Sequence, residues 1–491
     1  MIDTVVESPP ARTASRLSPV LLILGPVALT LALGLWGIRR DGTLWGDEAV
    51  TYEIAHRTVP EIWRTLGSVD AVHGLYYLLM HALFTVWEGG LVALRLPSAV
   101  GMTVTAAGVT LIGARLAGPR AGLLAGLLLP LLPTVQRFAQ EGRSYALVCG
   151  LVTCGTWLLL ERRWAVYGAV MLVACLLHEF AVLALLAHGV TVLGRWPCAE
   201  VVPDRRGTAR SGRRVGLGLG KTRARGWTVA AGAVAVGLAP LAAFSTTQAG
   251  QVEWIGRPGA GQLAVFGALA LLGWACARTP SGQAVRSVAL PLLILPMGLL
   301  MAVSFVHPLF VDRYVLPYVI GLALLLGAVL DQYWSRALAL SAAAAAMLTL
   351  VAHGPFLRSP DSRKNDVRAV AHAIRDTADP GDGLLFTPAR RRVWTLVEPA
   401  AFRELTDLSL DGAPRASDTL FGREARPAEI RARMLASRRI VVVRDLAGQP
   451  LDTASGEEMK RAVLHSYFEE CEGRREVGQA RITVFARPGA C

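Results

Sequence analysis

Charge is scarce in this sequence. Only 18% of its 491 residues are charged, and mean hydropathy is +0.44. A soluble domain carries about a quarter charged residues, so an ordinary soluble chain is excluded. Cysteine is also sparse, and no zinc-like spacing occurs. Cys149, Cys154 and Cys175 lie inside apolar runs, where a small core residue is the plain reading. The chain has no Walker loop and no Gly-rich dinucleotide fingerprint. Gly216-Leu-Gly-Leu-Gly220 has no soluble strand before it and reads as flexible linker. No internal repeat divides the chain, which argues against a transporter or lipid flippase, the alternative class. The net charge of +13 sits largely in short loops between apolar runs, as in membrane proteins. The basic loop 195–226 is poor in aromatics, so no nucleic-acid partner is expected.

What the chain has in quantity is apolar runs. A hydrocarbon core needs roughly 17–25 helical residues. About eleven spans are predicted: 18–38, 93–115, 120–138, 144–160, 164–178, 180–194, 227–245, 262–277, 287–306, 313–331 and 337–353. The first is long, lacks a small-residue cleavage site and precedes Arg39-Arg40, unlike a cleaved signal. The tail 1–17 carries Arg12 and Arg16 and is expected in the cytoplasm. Residues 73–88 are apolar but short, and contain His73 and His81. They read as an interfacial helix within an extracytoplasmic loop, 39–92. Arg115, Arg120, Arg162-Arg163, Arg278, Arg286, Arg336 and the loop 195–226 then all fall inside. That loop is expected to meet anionic lipid.

The same sidedness brings four polar clusters to the outer face. They are Trp45-Gly46-Asp47-Glu48, Gln140-Glu141-Gly142-Arg143-Ser144-Tyr145, His178-Glu179, and the stretch from His307 to Arg313-Tyr314. Carboxylates near lipid are costly and tend to be functional or paired. Residues 354–491, also outside, alternate helical and strand-like runs. Helices are expected over 364–378, 427–437 and 455–470, and strands over 383–387, 440–445 and 480–487. This is a small α/β domain. A Cys471–Cys491 disulfide is permitted there, and the sequence leaves it open.

Trp45-Gly46-Asp47-Glu48-Ala49 after the first span resembles the acidic signature of the GT-C glycosyltransferases, especially glycosyltransferase family 39. That family includes protein O-mannosyltransferases and the aminoarabinose transferase of lipid A. Ala93-Leu94-Arg95-Leu96-Pro97-Ser98-Ala99 is similar to the start of the family's second membrane helix. Glu141-Gly142-Arg143-Ser144-Tyr145 is similar to its EARxY stretch, and Arg313-Tyr314 to another recurrent feature. His73-Gly74-Leu75 stands where the family has HPP or KPP, without either proline.

The resemblance covers roughly residues 18–353 and implies a fold and a reaction. The fold is an α-helical polytopic GT-C membrane domain with interfacial helices. The donor is a sugar on a polyprenyl phosphate, with mannose expected. An acceptor hydroxyl on a protein, glycolipid or cell-wall glycan attacks at the outer face with inversion. Asp47 maps onto the catalytic base, and Glu48 binds the acceptor or orients a neighbour. Arg143, Arg313, Tyr145 and Tyr314 are expected at the donor phosphate, where Arg binds oxygens in pairs. His73, Glu141, His178 and Glu179 are expected to line the acceptor cavity.

Plainer readings stand beside these. Asp47 and Glu48 also suit a helix N-terminus. Arg143 also suits pairing with Glu141, and Arg313 with Asp312. His81 and His188 read as satisfied interior groups. Asp47 and Glu48 could take a divalent cation, but no metal or other cofactor is expected. The composition suits a bacterial inner-membrane enzyme.

Overall fold

A computed structural model describes residues 19–194 and 218–491, apart from Glu253, Lys364, Pro450 and Glu472. The expected tail 1–17 and the basic loop as far as Leu217 lie outside the described residues. Of the stretch 216–220 read as flexible linker, the last three residues instead belong to the helix Gly218–Thr246, and the first two lie outside the described residues.

Six helices are long and apolar enough to cross a membrane: Val20–Gly42, Gly90–Ala117, Thr222–Thr246, Ala260–Arg278, Pro280–Ser304 and Arg336–Arg358. Pro119–Leu131 and Pro133–Ala139 make a seventh only as a pair bent by 67°. The bend falls at Pro133, which cannot donate to the turn before it. The other four predicted spans are corrected in length. Tyr145–Leu160, Trp164–Leu177, Val182–Leu193 and Tyr318–Gln332 have 12 to 16 residues. At about 1.5 Å per residue they fall short of a ~30 Å hydrocarbon core. Their apolar character reflects protein packing as much as lipid. Tyr318–Gln332 is buried along most of its length, whereas Arg336–Arg358 is only 6% buried.

The helices pack closely where small residues allow it. A Cβ on Gly101 would sit 2.7 Å from the Ala146 carbonyl oxygen, so two helix backbones meet there. After the first span come three short helices, Gly46–Ala55, Val59–Ser68 and Gly74–Val86. The second begins with a capping box, in which the Thr58 backbone N–H donates to Glu61 at 2.7 Å.

The C-terminal region is the expected α/β unit. Its sheet runs Thr406–Asp407, Gly383–Thr387, Arg439–Asp445, Ala480–Ala486, Glu469–Glu470, and Arg475–Val477 also pairs with Ala480–Ala486. The first three strands are parallel, and Ala480–Ala486 runs against Arg439–Asp445. Strand alternation splits the apolar side chains between two faces. Leu384, Phe386, Val441 and Val443 pack with Val367, Val370 and Ile374 of the helix Val367–Arg375. Leu385, Ile440 and Val442 pack with Ile430, Met434, Val463 and Leu464 from the helices Pro427–Ala436 and Ser455–Tyr467. The short strands were not foreseen, being two or three residues long. Cys471 and Cys491 form the disulfide that the sequence left open.

This domain grips the juxtamembrane segment. The Val367 N–H donates to the Leu44 carbonyl at 2.9 Å, and Asn365 Oδ1 accepts from the Gly46 N–H at 3.0 Å. Arg368 donates to the Gly42 carbonyl at 3.2 Å, and Arg57 to the Thr419 carbonyl at 3.0 Å. The C-terminal domain therefore sits directly over the start of the helix that carries Asp47.

Candidate active site

Asp47 and Glu48 are neighbours in the first turn of Gly46–Ala55 and face different surroundings. Successive helical residues point about 100° apart. Glu48 turns inward and is fully buried. Arg40 Nη2 donates to its two oxygens at 2.9 and 3.0 Å. Arg95 Nε and Nη2 donate at 2.8 and 2.7 Å. The backbone N–H of Gly142 adds a bond at 2.9 Å, and that of Trp45 one at 3.3 Å. Burial alone would raise this carboxyl, but Arg95 and Arg40 hold it below the usual carboxylate range. An acceptor cannot reach it. Of the two roles expected for Glu48, acceptor binding or orienting a neighbour, its burial among these donors fits the second. It locks the first span, the span from Gly90, the 140–145 turn and the helix of Asp47 to one another.

Asp47 turns outward and keeps 34% of its side chain exposed. Its Oδ2 lies 3.5 Å from Arg313 Nη2. Arg313 is ringed by aromatics, with its guanidinium carbon 5.4 Å from the Trp45 ring, 5.8 Å from Tyr145, 5.6 Å from Tyr314 and 5.7 Å from Trp254. Its backbone N–H, not its head, takes Asp312, at 2.9 Å. The Arg313 Nε is buried with no protein acceptor.

Arg143 lies behind Asp47, only 5% exposed. Its Nη1 reaches the Thr51 hydroxyl at 3.3 Å, the Tyr77 hydroxyl at 3.2 Å and the Asp47 carbonyl at 3.5 Å. Asp70 is 3.9 Å from its Nη2 and accepts the Tyr77 hydroxyl. Arg143 thus turns towards Asp47 and Asp70 instead of Glu141.

A layer of rings closes the floor. His178 lies 4.7 Å from Tyr314, 5.4 Å from Tyr145 and 5.6 Å from His73, centroid to centroid. His73 is held well below its ordinary pKa, by burial first and then by Arg143 and Arg313. This favours its uncharged form, and its Nδ1 has no protein partner. The structure therefore brings together Asp47, His73, Arg143, Tyr145, His178, Arg313 and Tyr314.

Two expected members stand apart. Glu141 is buried against Arg363, 3.8 Å away, and burial raises its pKa. Glu179 accepts the Ser245 hydroxyl at 3.0 Å, and burial raises its pKa too. Glu179 is engaged by a neighbouring helix, whereas both oxygens of Glu141 are buried without a hydrogen-bond partner. His81 Nδ1 donates to the Ala55 carbonyl at 2.9 Å, and His188 bonds Thr156 and Tyr167, as interior groups do.

Sequence reasoning missed Arg40, Asp70, Tyr77, Trp254 and Asn365. Arg95 stands inside an apolar helix, where a buried arginine is itself a signal of a paired or functional group. Among the described residues, no group of three His, Cys, Asp or Glu side chains could hold a metal ion.

No protein-family model matches this sequence, and no curated protein matches it. Solved structures do. The fold resembles that of ArnT from Cupriavidus metallidurans in the apo state, with a TM-score of 0.57 and 15% identity over 95% of this chain and 97% of that one. It also resembles the same protein bound to undecaprenyl phosphate, with a TM-score of 0.51, 14% identity and the same coverages. The fold is GT-C-like. At such identities the likeness establishes architecture alone: a polytopic membrane domain of this kind carrying a C-terminal α/β domain.

Proposed function

We propose that this protein is a membrane glycosyltransferase, moving a sugar from a polyprenyl phosphate to an acceptor hydroxyl at the outer face of the inner membrane. The observation that carries this reading is the Asp47–Arg313 pair. A half-exposed carboxylate stands 3.5 Å from an arginine whose Nε is buried without an acceptor. A base and a phosphate ligand side by side are what the reaction needs. The neighbour ArnT, which binds undecaprenyl phosphate, supports the lipid class of the donor.

The chemistry follows from the positions. When a donor phosphate takes up Arg313, Asp47 loses its partner and becomes free to accept a proton. The acceptor O–H gives that proton to Asp47 as its oxygen bonds the anomeric carbon. The bond from that carbon to the phosphate oxygen breaks, and the phosphate leaves with the electron pair, inverting the centre. Arg313 and the Tyr314 and Tyr145 hydroxyls meet the new phosphate charge. Arg143 supports the site from behind, holding Thr51 and Tyr77. His73 and His178 line the floor beneath the sugar. Mannose as the sugar rests on the family-39-like signature alone, and the acceptor is a hydroxyl of a protein, glycolipid or cell-wall glycan.

The test is transfer of label from radiolabelled polyprenyl-phosphate mannose, and in parallel polyprenyl-phosphate aminoarabinose, in membranes holding the protein or Asp47→Asn. Transfer of either sugar by the native chain alone is the expected result. Equal transfer by both chains removes Asp47 as the base, and no transfer of either sugar overturns the reading.

A further inference from the structure

The C-terminal domain has a cavity that the proposed reaction does not use. It measures about 540 Å³, within the range of small-ligand sites (roughly 300–1,000 Å³). It opens at the carboxyl ends of the two parallel strands Gly383–Thr387 and Arg439–Asp445, and Thr387, Arg444 and Asp445 line it. From Gly383–Thr387 the chain passes to a strand on one side, Thr406–Asp407, and later returns to the other side with Arg439–Asp445. The strand order reverses at this point. In open α/β sheets such a reversal leaves a crevice where ligands bind.

The chemistry of the crevice is unusual for a sheet. Arg444 and Arg481 are direct cross-strand partners, and both line the cavity. Like charges directly opposite destabilise a sheet. Their neighbours do not use up their donors. Arg444 Nη2 takes Glu470 at 3.0 Å and Thr483 Oγ1 at 3.1 Å, and Arg481 Nε takes Glu476 at 3.1 Å. Arg444 Nε and Arg481 Nη2 remain buried without an acceptor. A buried donor left unmatched is destabilising. Three acids also line the crevice and each is already engaged: Asp445 accepts from Arg390 at 2.9 Å and from Arg391, Asp452 accepts the Ala454 N–H at 2.9 Å, and Glu470 accepts from Arg444. His465 adds a further donor at the wall.

We infer that this crevice is a second ligand site, which binds a phosphate-bearing group between Arg444 and Arg481. An anion placed there satisfies both orphaned donors and cancels the cross-strand repulsion. The cavity is larger than phosphate alone and leaves room for a sugar or a lipid headgroup attached to it.

The test titrates inorganic phosphate into the full-length protein in phosphatidylcholine nanodiscs, read by ³¹P line broadening and by the thermal midpoint. Wild type is expected to bind saturably and to gain stability. Arg444→Gln and Arg481→Gln, made singly, should each weaken binding about tenfold or more. Without phosphate each should unfold close to wild type, because the repulsion that is relieved offsets the lost bonds to Glu470 and Thr483 or to Glu476. Arg313→Gln should keep the crevice binding that Arg444→Gln and Arg481→Gln weaken, losing at most the phosphate held at the proposed transfer site, which separates the two sites. Nanodiscs with phosphatidylglycerol distinguish the sources. Competition with phosphate there marks a lipid headgroup, and its absence marks a soluble phosphate ester. Binding lost in Arg313→Gln but kept in both crevice variants, or no saturable binding at all, overturns the inference.

Discussion

Glu48→Gln separates a positioning role from a catalytic one. The substitution keeps shape but removes the charge between Arg40 and Arg95, which are both fully buried with it. Glu48 accepts four bonds from these two guanidinium groups, at 2.7 to 3.0 Å. Removing one member of a buried ion pair costs about 3–5 kcal/mol, because the remaining charge stays in low dielectric. Folded proteins are stable by only about 5–15 kcal/mol, so this single change removes a large share. The expected result is a clear fall in the thermal midpoint of the purified protein, with folded molecules that still transfer sugar at a reduced rate. Asp47→Asn should do the reverse, leaving the midpoint near wild type and abolishing transfer. Adding Arg40→Gln to Glu48→Gln should cost less than the sum of the two alone, since the partners are coupled. A Glu48→Gln protein as stable as wild type refutes the reasoning. So does a stable one as inactive as Asp47→Asn.

Arg313→Lys keeps the charge but loses the planar fork, and should lower transfer roughly tenfold to a hundredfold. A raised KM for the lipid donor with a near-normal thermal midpoint is the expected pattern, and an unchanged KM contradicts a phosphate role. Acidification should destabilise the protein through His73. Its folded pKa lies well below the ordinary 6.5, so its contribution is complete above that pH and is lost as the pH falls towards the folded value. Glu48 acts in the same direction only below its usual 4.5. His178, also held low by burial, acts as His73 does, so thermal midpoints between pH 8 and 5.5 should fall for wild type, less for His73→Gln and least for the His73→Gln/His178→Gln double variant, and parallel curves would exclude the pair as the cause.

The membrane class and the C-terminal α/β domain were legible in the sequence because both rest on local pattern. Apolar runs mark helices, and the strands Gly383–Thr387, Arg439–Asp445 and Ala480–Ala486 fall within a residue or so of their expected bounds. Span length was less legible. Hydropathy does not distinguish a helix facing lipid from one enclosed by protein, and Tyr318–Gln332 is of the second kind. The site was legible as a set of polar clusters at helix ends, but the roles within it were not. Two adjacent acids look alike in sequence. Only Arg40 and Arg95, arriving from other elements, make Glu48 a buried anchor and leave Asp47 to face outward. The partners of Glu141 and Glu179 likewise come from residues 363 and 245, far along the chain.

The least legible link joins the C-terminal domain to the chemistry. Asn365 stands 319 residues from Gly46, yet its side chain accepts the Gly46 N–H at the first turn of the Asp47 helix. Val367 and Arg368 hold the carbonyls of Leu44 and Gly42 in the same segment. From below, Glu48 ties that turn to Arg40, Arg95 and Gly142. The helix that carries Asp47 is thus fixed at one end from two sides, by a buried charge cluster and by the first turn of the C-terminal domain. A base must meet its proton within about 2.6–3.2 Å, so small movements of that turn matter. On this geometry the C-terminal domain is part of the machinery that sets where Asp47 stands. A ligand held in its sheet crevice would act on a domain already in contact with the transfer site.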